Sequence, residues 1–491
     1  MSIWQTAKRV EHYRLLDPAL YSFVPTTALS APKLVKWNNS LGKALGLSDD
    51  GDTQEQFVLQ VSNGECGDEL PPLAMKYTGH QFGVYNPELG DGRGVLFAEL
   101  IAPDGKVWDL HLKGSGQTPY SRMGDGRAVL RSTLREYLAS EALHALGIPT
   151  TRALALVTSN TPVQRERVEK AAQLIRATPC HIRFGHFEYL FYTEQHEELQ
   201  ELADWVIARY YPECQESQNP YQTLFFSVLK NTAKMIAYWQ AYGFNHGVMN
   251  TDNMSIIGET FDFGPYAFLD SYQPSFVCNH SDYQGRYAFN QQPRVALWNL
   301  SALANAFSPL VDREALHDIL SRFDPLLSRE FSVLMRAKLG LIERQEGDSQ
   351  LFSTLFELLN QNQIDYTLFF RLLSNLDSID EQTLVDEFID RESARQWLSL
   401  YTARCQQECS ADGQRLSAEQ RCAAMRRVNP KYILRTYLAE QAIQQAEQGD
   451  FSFFEQLNRV LAQPFDEHPQ DQELAKRPPD WASSITLSCS S

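Results

Sequence analysis

Positive charge is in short supply in this sequence. Lys and Arg number 44 against 61 Asp and Glu, which leaves the 491-residue chain at a net −17, with a pI of about 5.2. Nucleic acid is thereby excluded as the main partner, because gripping a phosphate backbone takes a basic surface. A site for phosphates has to be a local cationic pocket in an acidic protein. Long apolar runs are missing too: no window approaches the roughly 18 consecutive apolar residues of a membrane span, so no membrane partner is expected. The first residues, "MSIWQTAKRVEHYRLLD", contain neither an uninterrupted apolar core nor a small-residue cleavage site, and predict no secretory signal. Cysteine is sparse. Cys66, Cys180, Cys214, Cys278, Cys405, Cys409, Cys422 and Cys489 are scattered over the chain, which fits reduced thiols and a cytoplasmic location better than a disulfide framework. Cys405 and Cys409 could share a helix face, but zinc sites usually pair their ligands more tightly and add a second pair. Internal repeats and long low-complexity runs are absent.

What is present is an ordinary globular composition, 43% hydrophobic and 21% charged, with ample material for a core. Residues 1–70 mix short helical patterns with turn signals such as "NNSLGKALGLSDDGD" and read as an N-terminal extension. From Pro71 glycines cluster and β-like runs appear, including "GVLFAEL" and "KVWDLHLKG". "RSTLREYLASEALHALGI" then predicts a helix that stops at Gly147. Beyond about Glu194 the pattern is mainly helical, and "TLFFSVLKNTAKMIAYWQAYGF" is an apolar helix. The last stretch, "AQPFDEHPQDQELAKRPPDWASSITLSCSS", is polar and Pro-rich, and predicts a loosely held tail. The expected fold class is α+β and bilobal: a β-rich lobe at 71–193, a helical lobe at 194–460, an extension at 1–70 and a flexible tail at 461–491.

Five stretches carry candidate chemistry. "LGDGRG" at Leu89–Gly94 has glycines that let backbone N–H groups approach phosphate oxygens; alone it is equally a Gly-rich hairpin turn. Lys113 ends a strand-like run, and Glu136 follows 23 residues later in the predicted helix. A strand Lys paired with a helix Glu is how kinases hold a lysine against nucleotide phosphates, although two such charges also fit a solvated surface. "SRMGDGRAVLR" adds a second glycine turn around Asp125. Arg176 and Arg183 could grip phosphates bidentately or form surface ion pairs.

The most specific stretch is "HGVMNTDNMSIIGETFDFG", residues 246–264. Aligning His246 with the His of the kinase H-R-D-x-x-x-x-N loop puts Asn253 on its metal-binding Asn, and Asp262 heads a D-F-G motif. "MSIIGETF" between them predicts a β-hairpin. Asn and Asp oxygens suit a hard cation such as Mg2+. Yet Val248 stands where a kinase keeps its catalytic Asp, and an aliphatic side chain accepts no proton. The nearest carboxylate in the loop is Asp252. The residues alone therefore describe a kinase-like nucleotide site without its base, leaving open an inactive scaffold or a small-molecule kinase.

"YTGHQFGVYNPELGDGRG", "LHLKGSGQTPYSRMGDGRAVLRSTLREYLASEAL", "HGVMNTDNMSIIGETFDFGP" and "NPKYILRTYLAEQAI" together resemble the selenoprotein O family over nearly the whole chain. Its members are protein adenylyltransferases with a pseudokinase fold. The resemblance implies that ATP binds flipped relative to a kinase, so that AMP passes to a Ser, Thr or Tyr hydroxyl of a protein and pyrophosphate leaves. It implies Lys113 as the phosphate-binding lysine and Glu136 as its ion-pair partner. Gly90, Gly92, Arg93, Asp125, Gly126, Arg176, Arg183 and Asp262 would contact the nucleotide. Asn253 and Asp262 would hold Mg2+ or Mn2+, and Asp252 would accept the proton. A uridylyltransferase using UTP and Mn2+ is the nearest alternative. Cys489 matches the position of the selenocysteine in animal members, and Cys278 lies in the segment equivalent to a kinase activation segment, which makes the two a candidate redox pair.

Overall fold

In a computed structural model, residues 8–65, 71–409 and 415–488 are described. The strands are β1 (Lys8–Val10), β2 (Tyr21–Phe23), β3 (Lys33–Trp37), β4 (Leu73–Met75), β5 (Gly79–Gln81), β6 (Val84–Asn86), β7 (Gly94–Ile101), β8 (Val107–Lys113), β9 (Ala128–Val129), β10 (Arg152–Gln164) and β11 (Val168–Thr178). Seven of them form one antiparallel path, β2-β4-β7-β8-β11-β10-β3, with β1 joined to β7 and β9 to β11. β5 and β6 pair only with each other, as a separate hairpin. The segment 8–62 is thus woven into the sheet through three of its strands, a role that its turn-rich sequence does not announce.

The sheet has two apolar faces, and each needs a cover. One face, carrying Val95, Phe97, Leu110, Leu112 and Ile175, is closed by α1 (Asn39–Ala44) and α2 (Gly51–Ser62) through Leu41, Phe57 and Val58. Both helices begin with side-chain caps, Asn38 to Leu41 N–H and Asp50 to Thr53 N–H. The other face meets α3 (Leu130–Ala145), where Leu134, Leu138 and Leu143 enter a core continuous with the helical part. α3 is buried nearly all round, including Glu136, so it is an internal strut and not a surface helix.

The helical part begins with α4 (Phe184–Tyr192), α5 (His196–Tyr210) and α6 (Pro220–Tyr242). Gly243, at φ 69°, stops α6 and turns the chain into β12 (Phe244–Asn245), which pairs with β13 (Ala267–Phe268). Between these two short strands lies the whole loop 246–266. α7 (Gln292–Phe307), α8 (Arg313–Ser321), α9 (Phe323–Lys338), α10 (Asp348–Gln361) and α11 (Tyr366–Leu373) follow, and further helices run to Leu461. Among the described residues no helix is long and apolar enough to cross a membrane.

The stretch "MSIIGETF" does not pair with itself as a hairpin. Ser255 bridges Arg183 and Thr260 bridges Thr150, so two distant segments hold it instead. The segment after Leu461, read as a loosely held tail, lies along the body as far as Ser488. Asp471 accepts hydrogen bonds from Gln456 and Arg459, Leu474 is buried, and Leu487 bridges Asn279. Cys66 and Cys489 lie outside the described residues.

Candidate active site

A cleft of about 500 Å3 opens between the sheet and the loop 246–266. It is lined by Gly90, Gly92, Arg93, Lys113, Asp125, Gly126, Arg176, Arg183, Asp252, Asn253 and Asp262 together with Val248. Glu136 lies immediately behind Lys113. Cys278 is elsewhere, buried with Ala267 and Leu487 under the loop. Seven Lys or Arg side chains line the cleft against five Asp or Glu, so this acidic protein does contain a locally cationic pocket.

Antiparallel register aligns the cationic wall. Lys113 on β8 is paired with Gly94 on β7 and Leu174 on β11, and Arg176 is paired with His111 two residues on. With a period of two, Lys113, His111 and Arg176 share one face of the sheet. Glu136 meets Lys113 in an ion pair and accepts from Arg176 Nη2 at 2.5 Å. Arg176 Nη2 also reaches Asp262 Oδ1 at 2.7 Å, and Arg183, the N-cap residue of α4, pairs with Asp262 Oδ2. One buried lattice therefore runs from Lys113 through Glu136 and Arg176 to Asp262 and Arg183. Burial alone would raise the Asp262 carboxyl, but Arg183, Arg176 and Lys113 overcome it and hold it well below the usual range. Asp262 itself sits at φ 60°, unusual for a residue with a Cβ.

The two glycine turns are tied to each other. Thr118 donates to the Asp91 carbonyl at 2.7 Å and Ser121 donates to the Gly92 carbonyl at 2.5 Å. At Gly90, φ is 144°, and a Cβ would lie 2.6 Å from the Tyr120 ring and 2.9 Å from the Met75 carbonyl. Glycine is thus required there for packing alone. Asp125 engages Arg165 at 2.7 Å at the rim of the cleft.

In the loop, His246 donates from Nε2 to the Phe261 carbonyl at 3.0 Å, which ties its start to the D-F-G segment. Val248 is buried, and its carbonyl accepts from Asn253 Nδ2 at 2.9 Å. That bond occupies the Asn253 amide nitrogen and leaves its oxygen as the group available for a cation. Among the described residues no cluster of three or more His, Cys, Asp or Glu offers a metal cage. An Asn oxygen and an anionic Asp nevertheless fit Mg2+ or Mn2+, since such ions are usually held by one or two side chains and by the phosphates they bridge.

Asp252 is 8% exposed, and its Oδ1 is buried without a hydrogen-bond partner among the described residues. Burial raises its carboxyl to about 7, against the pull of Arg183. Sequence reasoning missed the groups around it. Gln81 on β5 approaches Asp252 Oδ2 at 3.4 Å. Behind the loop, His80 N–H donates to Thr251 Oγ1 at 2.7 Å, Thr251 donates to Glu188, and His80 Nδ1 bonds Glu188 at 2.6 Å. Asp91, inside the first glycine turn, accepts from His111 at 3.0 Å and from Met75 N–H at 3.1 Å. The one local signal for the hairpin was Gly83; in the structure Phe82 and Gly83, at φ 51° and 83°, make the two-residue turn between β5 and β6.

The family model described as "Protein adenylyltransferase SelO" matches residues 5–462. The chain is 56% identical over 491 residues to "Protein nucleotidyltransferase YdiU" of Vibrio vulnificus (strain CMCP6), with both chains covered in full. It is 56% identical over 492 residues to the protein of that name from Vibrio parahaemolyticus serotype O3:K6. The protein of that name from Vibrio cholerae serotype O1 is 54% identical over 491 residues. Those two are also covered in full, as is this chain.

Proposed function

The chain belongs to the family of protein adenylyltransferase SelO, and on that premise we propose that it transfers AMP from ATP to Ser, Thr or Tyr hydroxyls of protein substrates. The observation that carries this reading is the asymmetry of the cleft. Two arginines and a lysine converge around Asp262, while the aliphatic Val248 occupies the kinase base position and a buried carboxylate, Asp252, stands four residues on. Three cations at one place suit a departing pyrophosphate better than a single terminal phosphate. Asp252 supplies the proton acceptor that Val248 cannot. In the same reading, 71–193 and 194–460 are the two lobes of a protein-kinase-like fold, with β1, β2 and β3 of the N-terminal extension joined to the sheet of the first.

The acceptor hydroxyl attacks the α-phosphorus and gives its proton to Asp252. The bond from the α-phosphorus to the α–β bridging oxygen breaks, and pyrophosphate carries away the negative charge. Lys113, fixed by Glu136, and Arg176 and Arg183 bind that charge. Asn253 and Asp262 would hold a divalent cation, which would supply further charge neutralisation at the phosphates. ATP labelled on the α- or the γ-phosphate tests the reading. Label on protein from the α-position alone is the expected result. Label from the γ-position would make the chain a kinase, and preferred transfer from α-labelled UTP would make it a uridylyltransferase.

Cys278 and Cys489 are proposed as a redox pair that restrains this activity. His280 N–H donates to the Leu487 carbonyl at 2.8 Å, and Leu487 packs with Cys278, so the chain reaches Ser488 beside the loop 246–266. Oxidised protein should transfer more slowly than protein treated with a dithiol, and Cys489→Ser should ignore the reductant. An equal response in parent and variant would refute the pairing.

A further inference from the structure

The β5–β6 hairpin is excluded from the main sheet, and its contacts converge on the loop that carries Asp252. Phe82 N–H, at its tip, donates to Tyr287 Oη at 3.0 Å and to Asn250 Oδ1 at 3.3 Å. The bond from His80 N–H to Thr251 and the buried Glu188 fix its base. A Cβ on Gly79 would lie 2.9 Å from Thr251 Oγ1 and 3.0 Å from Asp252 N. So firm a fixture places one side chain inside the cleft: Gln81.

Asn86 Nδ2, across the hairpin, donates to Gln81 Oε1 at 3.2 Å. With its oxygen so engaged, the amide turns its N–H group toward Asp252 Oδ2. The contact is long, at 3.4 Å, and is of the kind that shortens when substrate closes an active site. No other side chain donates to the Asp252 carboxylate among the described residues; Arg183 bonds its backbone carbonyl.

We propose that Gln81 is a positioning residue for the transfer reaction, its amide clamped by Asn86 and holding the Asp252 carboxylate in the orientation that receives the acceptor proton. This rests on the reading of Asp252 as proton acceptor. A misplaced base slows the chemical step and leaves nucleotide binding intact, because Gln81 bonds Asp252 and Asn86, whereas Lys113 and Arg176 bond Glu136 and Asp262.

The test compares Gln81→Ala, Gln81→Glu, Asp252→Asn and the double variant Gln81→Ala/Asp252→Asn, with α-labelled ATP as donor and the chain itself and casein as acceptors. Gln81→Ala should lower kcat about tenfold, with the KM for ATP within about twofold of the parent. Gln81→Glu keeps the shape but loses the donor and adds a repelling charge, so it should fall at least as far as alanine. A merely structural role would rank the isosteric Glu above Ala. The double variant should be no slower than Asp252→Asn, since Gln81 acts through that carboxylate. Thermal unfolding of each variant separates lost function from lost fold. Gln81→Ala at parental kcat, or a fall carried equally by KM, overturns the inference alone if Asp252→Asn is inactive. An active Asp252→Asn, or a parent that transfers no α-label, overturns the base reading and the inference together.

Discussion

Arg176 is 1% exposed, yet it is charged and touches two carboxylates. Such a group gains little from its ion pairs when compared with an apolar core, but removing it alone strands buried charge. Glu136 would keep Lys113, and Asp262 would keep Arg183, so each carboxylate would lose half of its compensation. Arg176→Ala should therefore destabilise the protein by about 3–5 kcal/mol in urea unfolding, and should also weaken ATP more than AMP, which lacks the outer phosphates. Arg176→Lys keeps the charge but not the fork that spans Glu136 and Asp262, so it should recover less than half of the loss. A stable Arg176→Ala protein with parental ATP binding would refute both roles. This residue also shows where sequence reading stops. "LIRATPCHIRFG" marks two arginines as candidates, but only the register of β11 against β8 makes one of them the centre of a buried network.

At the scale of elements, what was legible was local and what was missed was long-range. The α3 helix is visible in its apolar periodicity and its stop at Gly147, and α6 in its apolar run, and both form where expected. The entry of β1, β2 and β3 into the sheet is set by pairing with strands up to about 120 residues away, which segments of three to five residues do not advertise. Loop 246–266 was legible because the phosphate and metal chemistry proposed for it restricts residue types at fixed spacing, whereas its support by Glu188 and the hairpin comes from elsewhere in the chain. The junction of that support with α4 is tight. Thr78 N–H donates to the Gly185 carbonyl at 3.1 Å, and a Cβ at Gly185 would lie 2.1 Å from the Thr78 carbonyl oxygen. Gly185→Ala must push the start of β5 away from α4 and move the hairpin against Asp252. It should cost about 1–3 kcal/mol of stability and lower transfer more than tenfold. Gly51→Ala, where a Cβ meets nothing within 4 Å at the start of α2, should be neutral or slightly stabilising. Equal behaviour of the two variants in thermal unfolding and transfer would remove the case for this junction.

For the whole molecule, the pH dependence of stability has one contributor that does not line the cleft. Lys338, at the end of α9, is 3% exposed, and no acidic side chain pairs with it among the described residues. Its ammonium stands 4.3 Å from the centre of the Phe370 ring and 4.9 Å from that of Tyr242. Aromatic faces offset only part of the lost hydration, and burial lowers the Lys338 pKa to about 7. The folded protein therefore binds fewer protons at this site than the unfolded chain between pH 7 and the ordinary lysine value of 10.5. Where the unfolded state binds more protons, stability rises with pH. The destabilisation is full at and below pH 7 and disappears as pH climbs toward 10.5. Lys338→Met keeps the length of the side chain and removes the charge. It should be more stable than the parent at pH 7 by an amount on the order of a few kcal/mol, since each tenfold loss of proton affinity on folding corresponds to about 1.4 kcal/mol. The advantage should shrink steadily as both proteins are unfolded in urea at pH 8, 9 and 10. Comparing the two proteins at each pH cancels the titration of every other group. A difference that stays constant over that range would mean that Lys338 remains protonated in the fold, with the three rings of Tyr242, Tyr366 and Phe370 carrying its charge.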